Sequence, residues 1–571
     1  MRPARRVFST PPTVNHRESL LPTGVRQRVG GVLFLLLAGL GLAARDAITD
    51  AQWIALLWLS ALPLLLALWP TLSPQMPQLN RATLRMVAIF LTVMTLCAVQ
   101  LLRIQVVMSD VISHRVGVDP ETGAVVSNPL LADAALRTPR GAILDRNGVV
   151  LAESVAQDGV YARHYLTPDT ADVTGYFSPL LYGATGLEAS WDDVLLGDAG
   201  GNPLWQALQT LRGLPPQGND LHLTLDATLQ QQAHAALGSR PGAVVLLDVQ
   251  TGAVLVLASN PTFDANALTA LTDKDRAAAQ TVWSTLTTDP RTPLVQRATS
   301  GLYAPGSTFK TVTAAAALQR GLATADTVYE DTGSLTIDGH TLVEANRPDD
   351  SITEWSLRDA FSWSLNVVFA QIGLQLGGPA LADAARSWGW ESDIPFDLPS
   401  EPSRVFVTPG FLENDLAVAE TAFGQGELLV TPLQMALVAA GVANEGAVMR
   451  PYLVQRITAP DGETLRTVSP QTWRRPVDRE VAQQTAALMQ NAVELGGLGS
   501  AYVPGYAIGG KTGTAETAGE VPHAWFIGFI GLPGEAPRYA VAVIVEAGGG
   551  GGQVALPIGR DLLVAAMSQS Q

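Results

Sequence analysis

Apolar positions dominate the beginning of the chain, where three runs with few polar residues follow one another. They cover residues 29–44, 52–73 and 86–103. Crossing a bilayer takes about 20 apolar residues in a helix, within a range of roughly 17 to 25, and no polar stripe repeats along these runs. We therefore expect about three transmembrane helices. Buried helices of a soluble core, or a cleaved signal peptide for the first run, are the alternatives.

The charges beside these runs predict how the chain crosses the membrane. Residues 1–28 form a basic arm with six arginines and one glutamate, and Arg81 and Arg85 precede the third run. The segment 45–50, between the first two runs, carries more aspartate than arginine. Arginine-rich flanks stay in the cytoplasm by the positive-inside rule. We therefore expect a cytoplasmic arm, a multi-pass protein of the cytoplasmic membrane, and an extracytoplasmic region after Arg103.

Beyond the membrane the pattern changes to short β segments, turns and moderate helices. Residues 104–217 are rich in Gly, Asp and Leu without a strong period. They predict an extended, loop-rich module between the membrane and the domain that follows. Within it we expect a hairpin that turns at Asn147 and Gly148, since both residue types tolerate positive φ.

Residues 218–571 predict a compact domain. Apolar segments near 242–259 and again near 523–546 predict strands, moderate helices lie between them, and a helix closes the chain after a glycine loop at 548–552. Strands from both ends of the domain imply one sheet. The expected fold class is α+β, with an antiparallel sheet flanked by helices.

Composition excludes several kinds of chemistry. The 571 residues include 36 Lys plus Arg against 52 Asp plus Glu, and this net charge of −16 argues against nucleic acid as a partner. Cys97 is the sole cysteine, and the seven His show no metal-binding spacing. An intramolecular disulfide is therefore excluded, and we expect no metal site and no cofactor.

Lysine occurs at three positions only, Lys274, Lys310 and Lys511. Lys310 ends the stretch "YAPGSTFK", and the alanine-rich segment after it predicts a helix that begins at or near Ser307. Ser307 and Lys310 then share the first helical turn, where an amine could take the serine proton and the free Ser307 N–H could hold an oxyanion. Arginine could not act as this base, because it stays protonated. The alternative is a serine cap beside a solvated lysine.

Two further motifs are candidates for the same site. They are SxN, with Ser364 and Asn366, and KTGT, with Lys511, Thr512, Gly513 and Thr514. As an edge strand beside Ser307, KTGT could bind a substrate carboxylate, while the Thr514 N–H completes an oxyanion pair. Taken singly, SxN indicates little, and KTGT could be an ordinary Gly-rich turn.

In this order SxxK, SxN and KTG resemble the motif set of penicillin-binding proteins and class A β-lactamases. With "PRGAILDRNG", "FGQGELLVTP" and "HAWFIGF", the chain resembles a class B penicillin-binding protein, and "VTGYFSPLLYGATGLEASWDDVLLG" resembles the penicillin-binding protein A subgroup. The resemblance implies a β-lactamase/D,D-peptidase-like transpeptidase domain, preceded at residues 104–217 by a membrane-proximal pedestal or dimerisation-type module. Two features depart from the family: the three predicted membrane helices, where one is usual, and Leu365 inside SxN.

The resemblance implies a serine-type D-Ala-D-Ala transpeptidase that cross-links peptidoglycan stem peptides and binds β-lactam antibiotics at the same serine. Ser307 would attack the carbonyl of the penultimate D-alanine, with Lys310 as base. Ser364 would relay a proton to the leaving amine, and Asn366 would orient Lys310. Lys511 would lower the pKa of Lys310 from about 10.4, and its strand would hold the terminal carboxylate and the oxyanion.

The resemblance also implies a partner, a polytopic peptidoglycan glycosyltransferase of the shape, elongation, division and sporulation group, contacted through the membrane helices and residues 110–215. The alternatives to a transpeptidase are a D,D-carboxypeptidase or β-lactamase-type hydrolase, in which water hydrolyses the acyl enzyme, and a membrane β-lactam sensor. The sensor would be expected to carry a metalloprotease motif that the sequence lacks. The intact motifs argue against a catalytically silent member.

Overall fold

The structure is a computed structural model that describes residues 23–44, 47–73, 75–108, 117–118, 125–126, 135–197, 217–271, 273–517, 519 and 521–569. Most of the predicted basic arm and parts of the predicted membrane-proximal module lie outside these residues. The chain forms two compact units, Met1–Leu131 and Ala132–Gln571.

The first unit contains the three predicted apolar helices. Its described elements are α1 Thr23–Ala43, α2 Asp50–Leu68, α3 Gln78–Leu102 with a π-helical turn Arg103–Val107, β1 Gly117–Val118 and β2 Val125–Val126. Each of the three helices is long and apolar enough to cross a membrane. Large apolar side chains such as Trp58 and Phe90 are exposed on them. Such a surface is unfavourable in water, so the three helices indicate membrane anchoring.

The second helix is shorter than predicted. It ends at Leu68, whereas the apolar run continues to residue 73. Trp69 is extended, with ψ of 120°, because the following Pro70 disfavours helical backbone in the residue before it.

The second unit contains nineteen strands and fourteen α-helices among its described residues. The strands are β3 Ile143–Leu144, β4 Val150–Gln157, β5 Val160–Tyr165, β6 Phe177–Ser178, β7 Gly183–Ala184, β8 Asp220–Leu223, β9 Gly242–Asp248, β10 Val254–Asn260, β11 Val328–Glu330, β12 Ser334–Ile337, β13 His340–Val343, β14 Glu354–Ser356, β15 Val448–Met449, β16 Val454–Thr458, β17 Thr464–Thr467, β18 Thr472–Arg474, β19 Ala507–Ala515, β20 His523–Gly531 and β21 Tyr539–Val545. The helices are α4 Ala171–Thr174, α5 Gly186–Ser190, α6 Asp192–Leu195, α7 Ala227–Leu237, α8 Asp273–Thr288, α9 Arg297–Ser300, α10 Lys310–Gln319, α11 Leu357–Trp363, α12 Asn366–Leu376, α13 Gly378–Trp388, α14 Asp415–Ala422, α15 Pro432–Ala443, α16 Arg479–Glu494 and α17 Gly551–Gln569. Short 3₁₀ turns cover Pro168–Thr170, Ala265–Leu268, Gly306–Phe309, Phe411–Glu413 and Gly499–Ala501.

The central sheet has five antiparallel strands in the order β10-β9-β21-β20-β19. Its strands come from both ends of the domain, which confirms the predicted α+β fold with one sheet built from distant segments. Nearly every residue of β9, β10, β20 and β21 is buried, so both sheet faces are covered. Helices α15 and α17 pack on this sheet. Strand β19, which carries KTGT, lies at its edge.

A second sheet has six strands in the order β17-β16-β8-β3-β4-β5. Strands β3 and β4 form the predicted hairpin, and of its two turn residues Gly148 takes the positive φ, 83°. Strand β8 pairs in parallel with β3 and antiparallel with β16. The sheet therefore combines strands from both sides of residue 217, and the domain boundary expected there stays a prediction.

The loop after β21 is shorter than the expected glycine loop at residues 548–552. Gly551 and Gly552 already belong to α17. A Cβ at Gly551 would lie 2.4 Å from the carbonyl oxygens of both Gly513 and Trp525. Only a glycine lets the helix start directly against the edge strand that carries KTGT.

Candidate active site

Three elements of the second unit bring the sequence-predicted residues into one cleft. Ser307 lies in the 3₁₀ turn Gly306–Phe309 that leads into α10, and Ser364 and Asn366 lie where α11 meets α12. Lys511 lies in the edge strand β19. The cleft has a volume of about 600 Å³, and Ser307, Ser364, Asn366, Lys511, Thr512 and Thr514 line it.

Two glycines allow the serine turn to approach the edge strand. A Cβ at Gly306, whose φ is 53°, would lie 3.0 Å from the carbonyl oxygen of Thr514. A Cβ at Gly513 would lie 2.8 Å from the carbonyl oxygen of Pro305. Side chains at either position would push the two elements apart, so the glycines keep Ser307 beside KTGT. Ser307 itself is half-buried and lines the cleft.

Lys310 is completely buried, and its amine is held by three acceptors. Its Nζ donates to the Ser364 carbonyl oxygen at 2.7 Å, to Asn366 Oδ1 at 2.7 Å and to Ser364 Oγ at 3.2 Å. The two carbonyl oxygens can only accept, whereas a hydroxyl can also donate. A neutral amine, with two N–H groups and a lone pair, would therefore satisfy this site as well as an ammonium does.

The SxN segment has a backbone conformation that is uncommon for serine. Ser364 is left-handed, with φ 61° and ψ 41°, and ends α11 with its N–H on carbonyls of that helix. This conformation turns the chain so that α12 begins at Asn366. Leu365, the departure from the family pattern, is fully buried in the core. Its apolar side chain thus packs inward while its two neighbours face Lys310.

Lys511 reaches the same hydroxyl from the opposite wall. Its side chain is 1% exposed, and Nζ donates to Ser364 Oγ at 2.8 Å and to the Thr512 carbonyl oxygen at 3.1 Å. Ser364 Oγ therefore bridges the two buried amines. A hydroxyl placed in this way can accept a proton from one amine and donate its own to the other.

Burial lowers the pKa of both lysines. The pKa of Lys310 lies well below its usual value, because burial disfavours the ammonium and the charge of Lys511 adds to this, while the carboxylate of Glu344 opposes it. Burial lowers the pKa of Lys511 to about 7. Both ammonium groups therefore lose a proton more readily than that of an exposed lysine does, and a charge on one amine disfavours a charge on the other.

Sequence reasoning missed other side chains of this cleft. They are Asn346, Trp363, Glu420, Gln425 and Glu516 on the lining, and Glu344, whose carboxylate influences Lys310. Gln425 belongs to the stretch "FGQGELLVTP", which could have pointed to it. Glu344 and Asn346 lie in no motif, so only the tertiary contacts reveal them. Among the described residues, no group of His, Cys, Asp or Glu could hold a metal ion.

Two family models match the chain. Residues 242–564 match the penicillin binding protein transpeptidase domain, and residues 140–221 match the penicillin binding protein A dimerisation domain. The second match overlaps the six-stranded sheet, and the first contains Ser307 and Lys511.

Relatives of similar length extend this likeness. The chain is 36% identical over 441 residues to the peptidoglycan D,D-transpeptidase PbpA of Mycolicibacterium smegmatis, which covers 74% of this chain and 88% of the relative. It is 37% identical over 443 residues to PbpA of Mycobacterium tuberculosis, with 74% and 87% covered. A solved ceftriaxone acyl-enzyme complex of penicillin-binding protein A from M. tuberculosis superposes with a TM-score of 0.70 at 35% identity, covering 76% of this chain and 100% of that one. A D,D-transpeptidase domain from Eggerthella lenta superposes with a TM-score of 0.66 at 34% identity, covering 76% and 99%.

Proposed function

The chain belongs to the penicillin-binding protein transpeptidase family, and we propose that it cross-links peptidoglycan stem peptides as a serine-type D-Ala-D-Ala transpeptidase. One observation carries this proposal: Ser364 Oγ lies 3.2 Å from Lys310 Nζ and 2.8 Å from Lys511 Nζ in the cleft that Ser307 lines. A base, a proton relay and a cation are thereby available beside one reachable serine hydroxyl.

In the acylation step Ser307 Oγ attacks the carbonyl carbon of the penultimate D-alanine. Its proton passes to the uncharged Nζ of Lys310, and the carbonyl electrons move onto oxygen. The backbone N–H groups of Ser307 and Thr514 hold this oxyanion, and each such donor contributes a factor of about 10² to 10³ in rate in other enzymes. The close approach of Gly306 to the Thr514 carbonyl supports this pairing.

Collapse of the tetrahedral intermediate breaks the bond to the terminal D-alanine. The departing nitrogen needs a proton, and Ser364 Oγ delivers it while taking another from a lysine amine on either side. Lys511, in its protonated form, holds the terminal carboxylate with the hydroxyls of Thr512 and Thr514. Asn366 orients Lys310 through its 2.7 Å contact.

The ester on Ser307 is then resolved by an amine of a neighbouring stem peptide. The amine attacks the ester carbonyl, loses a proton to Lys310, and the Ser307 oxygen leaves and regains its proton. A new amide bond between two strands is the product. The reaction consumes no cofactor, since one peptide bond is exchanged for another.

β-Lactams acylate the same residue. The Ser307 oxygen attacks the lactam carbonyl, the C–N bond of the ring opens, and the ring nitrogen takes the proton. The solved acyl-enzyme complexes of penicillin-binding protein A from M. tuberculosis with ceftriaxone, imipenem and penicillin G support this proposal.

The catalytic domain lies outside the cytoplasmic membrane, and α1, α2 and α3 cross it. The arginine-rich flanks support a cytoplasmic amino terminus. The start of α2 and the end of α3 lie together, because Arg103 pairs with Asp50 at 3.2 Å and the Trp53 indole donates to Gln100 Oε1 at 2.5 Å. Both ends then face the outside, as three crossings require.

Four segments have separate roles in this proposal. Residues 1–28 are the cytoplasmic arm, 29–103 the membrane region, 104–217 the pedestal and 218–571 the transpeptidase domain. The membrane helices and the pedestal are the contact surface for a polytopic glycosyltransferase, which supplies the glycan strands that this enzyme cross-links. The match of residues 140–221 to a dimerisation domain supports a docking role for the pedestal.

Reconstitution tests the proposal. Purified protein, lipid-linked precursor and a candidate glycosyltransferase are combined, and the digested product is analysed for cross-linked muropeptides. We expect dimeric muropeptides and release of free D-alanine. Release of D-alanine without any dimer would identify a D,D-carboxypeptidase instead. Neither product, with intact penicillin labelling, would indicate a sensor.

A further inference from the structure

Glu344 is a buried carboxylate beside the SxN segment. It follows strand β13, and the residue is 8% exposed. Its Oε2 accepts the backbone N–H of Val367 at 2.9 Å, and its Oε1 accepts the backbone N–H of Asn346 at 3.0 Å. Val367 is the second residue of α12, so one oxygen holds the positive end of that helix.

Asn346 extends this contact to the catalytic lysine. Its Nδ2 donates to the Ser364 carbonyl oxygen at 3.1 Å, and the same oxygen accepts from Lys310 Nζ at 2.7 Å. The carboxylate therefore supports the SxN segment at two points. Through Val367 it fixes the start of α12, where Asn366 lies, and through Asn346 it is connected to the carbonyl oxygen of Ser364.

The carboxylate also contributes charge to the lysine site. The titratable groups that act on Lys310 are Lys511 from β19, which opposes its ammonium, and Glu344, which favours it. Glu420 from α14 and Glu516 beyond β19 line the same cleft, and the charge of His340 from β13 acts on Glu420. The two backbone donors and the helix end compensate the buried charge of Glu344.

We propose that Glu344 is a positioning residue of the transpeptidase, which fixes the left-handed turn at Ser364 and supplies the negative charge that keeps a proton available to the two-lysine pair. This inference rests on the proposed function, since it assigns a second set of residues to the same reaction. Glu344 itself is not among the residues that line the cleft. Its effect reaches the reaction through Ser364, Asn366 and Lys310.

The two parts of this role predict different changes in Glu344→Gln. An amide has one acceptor oxygen, so one of the two backbone N–H groups loses its partner, and we expect acylation to slow by about ten- to a hundredfold. The anion that favours the Lys310 ammonium is also lost, so the pKa of Lys310 falls further. The pH at which acylation rises to half its maximum should therefore move lower than in wild type.

The experiment measures the second-order rate constant of labelling by a fluorescent penicillin from pH 5 to 9 on the full chain in detergent. Glu344→Asp keeps the charge, but its side chain is too short to reach both backbone donors. Its labelling should therefore be slow, while the pH at which the rate constant rises to half its maximum should stay at the wild-type value. Asn346→Ala removes only the side-chain contact with the Ser364 carbonyl oxygen. Its labelling should be slower than that of wild type, with no change in the pH at which the rate rises. Glu354→Gln, which removes an exposed carboxylate on β14, is the matched control and should behave as wild type.

The results separate this inference from the proposed function. If wild type is not labelled, the proposed function fails. In a second outcome wild type is labelled while Glu344→Gln reacts at the same rate, or reacts slowly with an unchanged pH of half-maximal labelling. Either result would show that Glu344 does not have the proposed role. Thermal melting identifies variants that fail to fold. Should Glu344→Gln be one of them, wild-type rates in both Glu344→Asp and Asn346→Ala would overturn the proposal.

Discussion

The side-chain nitrogen of Lys511 lies 2.8 Å from the hydroxyl oxygen of Ser364. The same hydroxyl is 3.2 Å from Nζ of Lys310, so it separates two buried amines that would repel each other in direct contact. A proton can move between the amines along this hydroxyl. The protonation of each lysine therefore depends on the other, and under the proposed function Ser364 couples the proposed base for attack to the proposed cation for substrate binding.

Ser307→Ala should abolish covalent labelling by a fluorescent penicillin, because it removes the only atom proposed to form the ester. Gel fluorescence measures the label. Ser284→Ala, on the exposed side of α8, should keep the label. A wild-type signal from Ser307→Ala would assign the nucleophile to another residue.

Lys310→Arg should be nearly as damaging although it conserves charge. A guanidinium stays protonated and cannot accept the Ser307 proton, and general base catalysis contributes a factor of about 10² to 10⁴. Labelling rate constants measure the loss. Lys274→Arg, an exposed lysine at the start of α8, is the control and should label at the wild-type rate. Activity of Lys310→Arg near wild type would mean that no deprotonated base is needed.

The reaction with a D-Ala-D-Ala peptide should slow as pH rises above about 7, the pKa to which burial lowers Lys511. Above this pKa the amine is neutral and no longer attracts the substrate carboxylate. In Lys511→Arg the cation persists at all these pH values, so the decline of the rate at alkaline pH should be absent. The variant should still be slower than wild type at neutral pH. Rate constants of D-alanine release against pH test this. An alkaline decline that persists in Lys511→Arg would exclude Lys511 as its origin.

Gly513→Ala should impair both folding and labelling. The new methyl group would lie 2.8 Å from the Pro305 carbonyl oxygen and 3.1 Å from Thr308 Cγ2, so the serine turn and the edge strand must separate. Overpacking of this kind costs about 1–3 kcal/mol. Melting temperature and labelling rate measure the effect. Gly499→Ala, where a Cβ meets nothing within 4 Å, should be neutral in both.

An alkaline phosphatase fusion at residue 110 should be active, because the three proposed crossings would place this position outside the cytoplasm. A fusion at residue 73, between α2 and α3, should be silent and serves as the control. Enzyme activity of intact cells measures both. The reverse pattern, or activity in both fusions, would contradict the proposed topology.

Local pattern determined much of the fold. The three apolar runs predicted the helices of the first unit, since an uninterrupted apolar run of sufficient length is typical of a membrane-spanning helix. The apolar segments at the two ends of the second unit predicted its central sheet, because β9, β10, β20 and β21 are buried on both faces and therefore contain little but apolar residues. The rare lysines and short motifs indicated which residues to consider for the cleft.

Only the tertiary structure decided which atoms meet. Ser364 is 54 positions from Lys310 and 147 from Lys511, and no local period relates such distances to a hydrogen bond. Glu344 belongs to no motif, and its proposed role rests on two backbone N–H groups that folding brings to it. Strands β16 and β17, far along the sequence, join the sheet of β3 and β4 for the same reason. A sequence records which side chains can be buried, whereas the packing of distant segments decides which polar groups then share a proton.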